Sequence, residues 1–93
     1  MRRYELTVIF PLEEDQHTAG RELLLGDLAA NGVEIEKTDE TGDRDLAYEI
    51  KKRKRGKYVL FTLKADPSKI TAIDRVFKLN ANILKYLFVR IEE

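Results

Sequence analysis

The chain has 93 residues, of which seventeen are basic, seventeen are acidic and none is cysteine, so its formal net charge is zero. This length suits one domain over residues 1–93, with a small core and little room for a deep catalytic cavity. The balanced charge excludes a protein that coats nucleic acid by bulk positive charge, and the lack of cysteine excludes disulfides, thiolate metal sites and thiol nucleophiles.

The first predicted element is a strand. Residues 4–10 alternate in polarity and end at Pro11, which is typical of a strand with one buried face. The alternation directs four side chains to the core: Tyr4, Leu6, Val8 and Phe10. The chain contains no apolar run long enough for a secretory signal or a membrane span, so we expect a cytoplasmic protein.

A helix is predicted next, from about Glu13 to Asn31. Its apolar residues recur at helical spacing, and Asn31 with the following glycine provides a left-handed stop. The predicted stripe consists of Ala19, Leu23, Leu24 and Leu28. Gly20 lies inside this helix, where glycine costs about 0.5–1 kcal/mol relative to alanine. We expect a close approach of the helix to the sheet at Gly20 to offset that cost.

Two further strands are predicted to form a hairpin. Residues 33–50 alternate in polarity twice and are interrupted around Gly42, which indicates one long, bent strand with a bulge at that glycine. The basic segment 53–56 is predicted to be the hairpin tip. The return strand is predicted to run from Tyr58 to Ala65.

The last predicted elements are a second helix and a fourth strand. Asp66 suits the helix cap and Pro67 suits the first helical position, and the apolar stripe that follows consists of Ile70, Ile73 and Phe77. Residues 83–91 are strongly apolar and are predicted to form the final strand. The order β-α-β-β-α-β predicts an α+β, ferredoxin-like sandwich, in which a four-stranded, mainly antiparallel sheet carries both helices on one face.

Side chains that could carry chemistry are sparse. His17 is the only histidine and is predicted to be a solvated helix residue, because general-base work needs positioned partners that its neighbours do not supply. Ser68, the only serine, lies in the predicted helix cap. Phosphate-loop, metal-ligand and paired-carboxylate motifs are lacking. We therefore expect no catalytic residue, no metal, no cofactor and no enzyme activity.

Three rival functions share this order of elements. An RNA-recognition motif needs outward aromatic rings on its first and third strands, and here only Tyr58 meets that need. The other side chains expected on the outer face, Ile9 and Leu60, are apolar but not aromatic. An acylphosphatase-type enzyme needs a phosphate-binding loop after the first strand, where residues 11–15 are acidic. A small-molecule-sensing regulatory domain needs a glycine-lined pocket between subunits, and it is the alternative function that we retain.

The strongest local charge lies in the predicted hairpin, because residues 51–57 carry six positive charges. One interpretation is a solvated tip that protects the sheet from pairing at its edge. The other is a finger that contacts phosphates, because clustered lysine and arginine gain affinity by releasing counterions from nucleic acid.

Several stretches resemble the bacterial small-subunit ribosomal protein family S6. They are residues 1–5, residues 77–80, residues 83–85 and above all residues 42–50, which read Gly-Asp-Arg-Asp-Leu-Ala-Tyr-Glu-Ile. This chain departs from the family pattern at Glu49, where proline is usual, and so regains a backbone donor that proline lacks. The resemblance implies a structural protein of the small ribosomal subunit that binds central-domain rRNA together with the basic ribosomal protein S18, without a small-molecule substrate or a membrane.

The resemblance and the charge pattern together suggest which residues make contacts. For RNA contact we predict Arg2, Arg3, Tyr4, Arg44, Lys52, Arg53, Lys54, Arg55, Lys78, Lys85 and Arg90. An acidic edge suits a basic partner. For protein contact we predict Glu34, Glu36, Asp39, Glu40, Tyr48 and Leu60.

Overall fold

A computed structural model describes residues 1–91, which contain four strands and two helices. Their order is β1 (Arg2–Phe10), α1 (Glu14–Ala30), β2 (Glu34–Ile50), β3 (Arg53–Ala65), α2 (Ile70–Phe77) and β4 (Lys85–Arg90). A single 3-10 turn, Pro67–Lys69, leads into α2. The predicted β-α-β-β-α-β order is therefore confirmed.

The strands form one sheet in the order β2-β3-β1-β4. β1 lies inside the sheet and pairs antiparallel with β3 along its whole length, and with β4 from Tyr4, opposite Arg90, to Ile9, opposite Lys85. β2 pairs antiparallel with β3. This is the predicted ferredoxin-like arrangement, and it leaves β2 and β4 as the two edges of the sheet.

The core lies between one face of the sheet and the two helices. Fully buried side chains alternate along β1 and β3, as predicted for β1, and include Leu6, Val8, Phe10, Val59, Phe61 and Leu63. α1 contributes Leu24 and Leu28 to the same cluster, and α2 contributes Ile73 and Phe77. Burial of each such side chain stabilises the fold by about 1.5–3 kcal/mol. Both helices thus pack on one face, and the opposite face, here called the outer face, is left for other contacts.

The buried stripe of α1 differs from the predicted one. Leu24 is buried, but Ala19 is exposed and Leu23 is 52% exposed. Gly20 takes the inward position one turn before Leu24, because positions four apart share a helix face. A Cβ on Gly20 would lie 2.8 Å from the Cβ of Asn82. The expected close approach at Gly20 therefore exists, but to the connection before β4 and not to the sheet.

The predicted bulge in β2 is confirmed. Glu40 lies opposite Val59 and Gly42 lies opposite Tyr58, so Thr41 is the extra residue. Gly42 has a φ of 89°, a conformation that side chains with a Cβ rarely adopt. The glycine therefore lets β2 bend while it stays paired with β3.

The hairpin turn lies earlier in the chain than predicted. Its two residues are Lys51 and Lys52, with φ of 48° and 65°, and Ile50 pairs with Arg53 across it. A two-residue turn of this kind needs positive φ at both positions and usually contains asparagine or glycine there. Because lysines fill both positions here, the sequence contains no such signal, and the prediction that residues 53–56 form the tip is wrong: they belong to β3.

The connections around α2 are fixed by side-chain caps. The Asp66 carboxylate accepts hydrogen bonds from the backbone N–H of Ser68 at 3.0 Å and from its hydroxyl at 2.9 Å, as expected for a cap. These bonds lower the pKa of Asp66. After α2, the buried Asn80 donates from its amide to the carbonyl of Gly20 at 3.1 Å. β4 then begins at Lys85, two residues later than the prediction of residue 83.

Candidate RNA and protein interfaces

Beyond the end of β1, β2 and β3 continue as a two-stranded arm, defined here as residues 44–56. Hydrogen bonds hold this arm against the rest of the fold. The Lys51 ammonium donates to the carbonyl of Ile83 at 3.0 Å, and the Arg53 guanidinium donates to the carboxylate of Glu13 at 2.5 Å. The arm is therefore tied to the segments just before α1 and β4.

The outer face of the sheet carries apolar side chains that no helix covers. Leu87 is 56% exposed and Val89 is 49% exposed, whereas Leu60 and Tyr58 are half-buried. Ile9 lies opposite Tyr58 and shares this face, as predicted, but it is only 6% exposed. Exposed apolar area of this kind is typical of an interaction surface.

The basic residues of the arm divide into paired and unpaired groups. Arg53 is held by Glu13, and Arg55 forms an ion pair with Asp45 at 3.0 Å. Lys52 and Lys54 are exposed and have no ion-pair partner among residues 1–91. Only part of the charge that the sequence concentrates here is therefore free for an external anion.

A second basic surface lies at the opposite end of the sheet. The strand ends form an open groove of about 1070 Å³ whose charged lining residues are Arg2, Arg3, Glu34, Glu36, Lys64 and Arg90. Arg3 donates to the Glu36 carboxylate at 2.9 Å. Lys64 was not among the predicted contact residues, although a predicted pairing of β1 with β3 would have placed it opposite Arg3. Among residues 1–91, four basic and two acidic side chains line this groove, which favours an anionic ligand.

Three of the residues predicted to touch RNA lie outside both basic surfaces: Tyr4, Lys78 and Lys85, the last of which contacts Tyr48. Tyr4 is only 8% exposed and packs edge-on against Phe88, with ring centroids 6.3 Å apart. Its ring belongs to the core, so we leave Tyr4 out of the RNA-contacting set. Lys78 follows α2 and forms an ion pair with Asp74 at 3.0 Å.

The acidic residues predicted for a protein partner all lie on the edge strand β2, but on two different faces. Asp39 lies opposite Leu60 and shares the outer face with Glu34. Glu40 lies on the helix side, where an ion pair with Arg21 of α1 lowers the pKa of its carboxyl. A basic partner could therefore contact the acidic side chains on the outer face of β2. Glu40 instead links β2 to α1.

Tyr48, the remaining predicted partner residue, lies apart from the acidic edge. The Lys85 ammonium donates to its hydroxyl at 2.7 Å and lies 5.2 Å from its ring centroid, and this bond raises the pKa of Lys85. Nearby, the Arg44 guanidinium carbon lies 5.9 Å from the ring centroid of Tyr58. The structure thus brings together two tyrosines and two cations, of which only Arg44 and Lys85 were predicted to share a partner.

His17 is not the solvated residue that was predicted. Its ring packs edge-on against Phe10 with centroids 5.2 Å apart, and its Nε2 is buried without a hydrogen-bond partner among the described residues. Burial lowers the His17 pKa, and the positive charges of Lys57 and Arg21 lower it further. This environment favours the neutral imidazole.

Two kinds of feature are lacking in the part of the chain that the structure describes. No group of three or more histidine, aspartate or glutamate side chains is placed to hold a metal ion. Neither helix there combines the length and the apolar character that crossing a bilayer requires.

Sequence comparison finds relatives over the whole length of the chain. A family profile described as ribosomal protein S6 matches residues 3–90. The chain is 52% identical over 93 residues to small ribosomal subunit protein bS6 of Treponema denticola, covering 100% of each chain. It is 42% identical over 95 residues to small ribosomal subunit protein bS6 of Halalkalibacterium halodurans, again covering 100% of each.

Structural comparison finds the same fold in two solved structures. The 30S ribosomal protein S6 from Thermotoga maritima superposes with a TM-score of 0.85 at 22% identity, over 97% of this chain and 87% of that one. The C-terminal domain of the MgtC protein from Mycobacterium tuberculosis gives a TM-score of 0.65 at 13% identity, over 100% and 90% of the two chains. At these identities the likeness establishes the fold alone, and function has to be argued from the surface.

Proposed function

This chain belongs to the ribosomal protein S6 family, and from that premise we propose that it binds central-domain rRNA together with ribosomal protein S18. Membership makes it a small-subunit ribosomal protein, which is a structural protein and not an enzyme. The observation that carries the proposal is the outer face, where exposed apolar side chains lie between two basic surfaces. Such a face can meet RNA and a protein at the same time.

The proposed RNA contacts form two surfaces at opposite ends of the sheet. The groove surface consists of Arg2, Arg3, Lys64 and Arg90. The arm surface consists of Lys52, Arg53, Lys54 and Arg55, with Lys78 as a separate candidate. Because the net charge of the chain is zero, attraction to RNA has to come from these local patches and from the positive charge of a partner.

The proposed contact with the basic partner follows the outer edge of β2. Three acidic residues of this strand, Glu34, Glu36 and Asp39, line the groove or the outer face beside Leu60. Opposite charges across an interface speed association and fix orientation. An edge strand also offers unpaired backbone groups to an incoming segment. These features support S18 binding along this edge, where Glu34 and Glu36 lie directly beside the basic side chains of the groove surface.

A filter-binding titration tests the RNA contacts. We expect the double variant Lys52→Gln/Lys54→Gln to bind a central-domain rRNA fragment, in the presence of S18, more weakly than the unaltered chain. The slope of log affinity against log salt, measured from about 50 to 200 mM, should also become shallower by roughly one for each phosphate that the variant no longer neutralises. A matched control, Lys69→Gln/Arg75→Gln, removes the same charge from two exposed positions, one in the turn before α2 and one within α2.

Two results would reject the proposal in different ways. An unchanged salt slope in the Lys52→Gln/Lys54→Gln variant would show that the arm does not touch phosphate. Equal affinity with and without S18 would show that the chain does not bind RNA cooperatively with that partner.

A further inference from the structure

Four side chains form a compact group at the base of the arm, here called the tyrosine cluster: Arg44, Tyr48, Tyr58 and Lys85. Lys85 lies against the ring of Tyr48, with its ammonium 5.2 Å from the ring centroid, and Arg44 lies against the ring of Tyr58 at 5.9 Å. Ile9 pairs with Tyr58 on one side and with Lys85 on the other, so the two pairs flank Ile9 on the outer face. Cations and aromatic rings therefore alternate across this surface.

The ring of Tyr48 is both exposed and held in place. It is 60% exposed, although tyrosine has a large apolar body that folding usually covers. Its hydroxyl accepts a hydrogen bond from Lys85 at 2.7 Å. The strand that carries it is fixed by the bond from Lys51 to the carbonyl of Ile83. An exposed ring that is already oriented loses little conformational freedom when a flat ligand stacks on it.

We propose that the tyrosine cluster binds one unpaired nucleotide of RNA, with the base stacked on Tyr48 and the phosphate held by Lys85 and Arg44. Single-stranded RNA is commonly bound by aromatic rings on which bases stack, with cations that follow the backbone. The cluster offers both parts within one small surface. This assignment rests on the proposed function and identifies which feature of the rRNA the base of the arm receives.

Electrostatics favours RNA over the protein partner at this position. The proposed partner is basic, and Lys85 and Arg44 would repel it, whereas the acidic side chains of β2 would attract it. Asp45, a carboxylate of the arm, is already paired with Arg55 at 3.0 Å. Tyr48 is therefore moved from the predicted protein-contacting set to the RNA-contacting set.

Substitutions of Tyr48 separate stacking from other roles. With the central-domain rRNA fragment and S18 present, we expect Tyr48→Leu to weaken RNA binding about tenfold, which is the scale of a single base stack. The salt slope should not change, because no charge is removed. Tyr48→Phe keeps the ring and should bind within about twofold of the unaltered chain. Leu79→Ala is the matched control, since Leu79 is an apolar side chain that is 80% exposed elsewhere.

A direct optical readout is available because the chain contains no tryptophan. In a Tyr48→Trp variant the single indole reports on this site, and we expect the rRNA fragment to quench its emission as a base stacks on it. Absence of quenching at saturating RNA would reject the proposal. If circular dichroism shows that Tyr48→Leu does not fold, the Tyr48→Trp variant still tests the proposal.

The remaining outcomes are equally decisive. Wild-type affinity in Tyr48→Leu, or equally weakened binding in Tyr48→Leu and Tyr48→Phe, would show that the ring does not stack on a base. Loss of S18 binding by Tyr48→Leu without RNA would return Tyr48 to the protein interface. If the unaltered chain does not bind the rRNA fragment, both the proposed rRNA binding and the nucleotide site are rejected. If the unaltered chain binds it and Tyr48→Leu binds equally well, only the nucleotide site is rejected.

Discussion

At the scale of single residues, Gly56 shows why a residue that seems to mark a turn can serve packing instead. It lies within β3, opposite Arg44 of β2. A Cβ at this position would collide with the side chain of Ile9 and would lie 3.3 Å from the carbonyl oxygen of Phe10. The missing side chain therefore lets the arm pass closely over the end of β1.

Substitution of Gly56 by alanine should destabilise the protein, because the new methyl group overlaps Ile9. We expect a decrease of about 1–3 kcal/mol in the free energy of unfolding, measured by urea denaturation. Gly26→Ala is the matched control. Gly26 lies in α1 with no atom within 4 Å of its potential Cβ, so alanine there should stabilise by about 0.5–1 kcal/mol. Equal effects of the two changes would contradict this account of Gly56.

Asn80 is a second position where one side chain connects distant segments. It is the only polar residue among the buried side chains of residues 1–91, at 3% exposure. Its amide donates to the carbonyl of Gly20 at 3.1 Å and accepts from the backbone N–H of Asn82 at 3.0 Å. It thereby joins α1 to the connection that precedes β4.

Replacement of Asn80 by alanine should leave the Gly20 carbonyl and the Asn82 N–H without these partners. The expected cost is about 2–3 kcal/mol in the free energy of unfolding, measured by thermal or urea denaturation. Asn31→Ala removes a half-buried bond to the Asp27 carbonyl at the end of α1 and should cost less than about 1 kcal/mol. A smaller decrease at Asn80 than at Asn31 would disprove the bridging role.

At the scale of secondary-structure elements, α1, β1 and the arm meet around His17. The imidazole packs against Phe10. Close by, the Arg53 guanidinium of the arm donates hydrogen bonds to Glu13, just before α1, and to Gln16 in its first turn. Lys57 and Arg21 bring positive charge near the ring, while Glu14 and Glu40 partly oppose them. A positive charge on His17 is therefore disfavoured in the folded state.

This environment predicts a stability that decreases as the pH falls. The folded-state pKa of His17 lies below the usual value of 6.5, so the unfolded chain takes up the proton first. The resulting loss in the free energy of unfolding is absent well above pH 6.5 and grows as the pH falls below that value. Urea denaturation at about pH 7.5 and about pH 5.5 should show it. A His17→Asn variant should lose this part of the pH dependence, and identical pH profiles for the two proteins would contradict the prediction.

At the scale of the whole molecule, stability is concentrated in the two inner strands. The fully exposed or half-exposed side chains of β2 contrast with the buried alternation of β1 and β3. The arm carries basic side chains and two members of the tyrosine cluster, Arg44 and Tyr48, but adds little to the core. The proposed contact residues of the arm thus lie where the fold depends on them least, as is common for binding segments.

Amide hydrogen exchange should reveal this division. We expect the slowest exchange in β1 and in residues 59–65 of β3, which open only on global unfolding, and faster exchange in residues 44–50 of the arm. A Lys51→Ala variant, which lacks the bond to the Ile83 carbonyl, should speed exchange in the arm and leave β1 unchanged. Uniform protection across all four strands would contradict a locally opening arm.

Local patterns determined much of this molecule. The alternation of Leu6, Val8 and Phe10, the bulge at Gly42 and the cap at Asp66 were all predicted and are all confirmed. Each of these depends on a few neighbouring residues, because side-chain direction in a strand and the hydrogen bonds of a cap are set locally. The order of elements follows from such signals, and the fold follows from the order.

Contacts between distant segments were decided only in three dimensions. The turn at Lys51 and Lys52 carries no glycine or asparagine, and the inward position of Gly20 depends on Asn82, which lies far along the chain. The tyrosine cluster likewise joins Tyr48 to Lys85 across the sheet. Sequence could therefore suggest candidate contact residues but not group them into surfaces, because the pairs that make a surface are fixed by how the strands and the arm pack together.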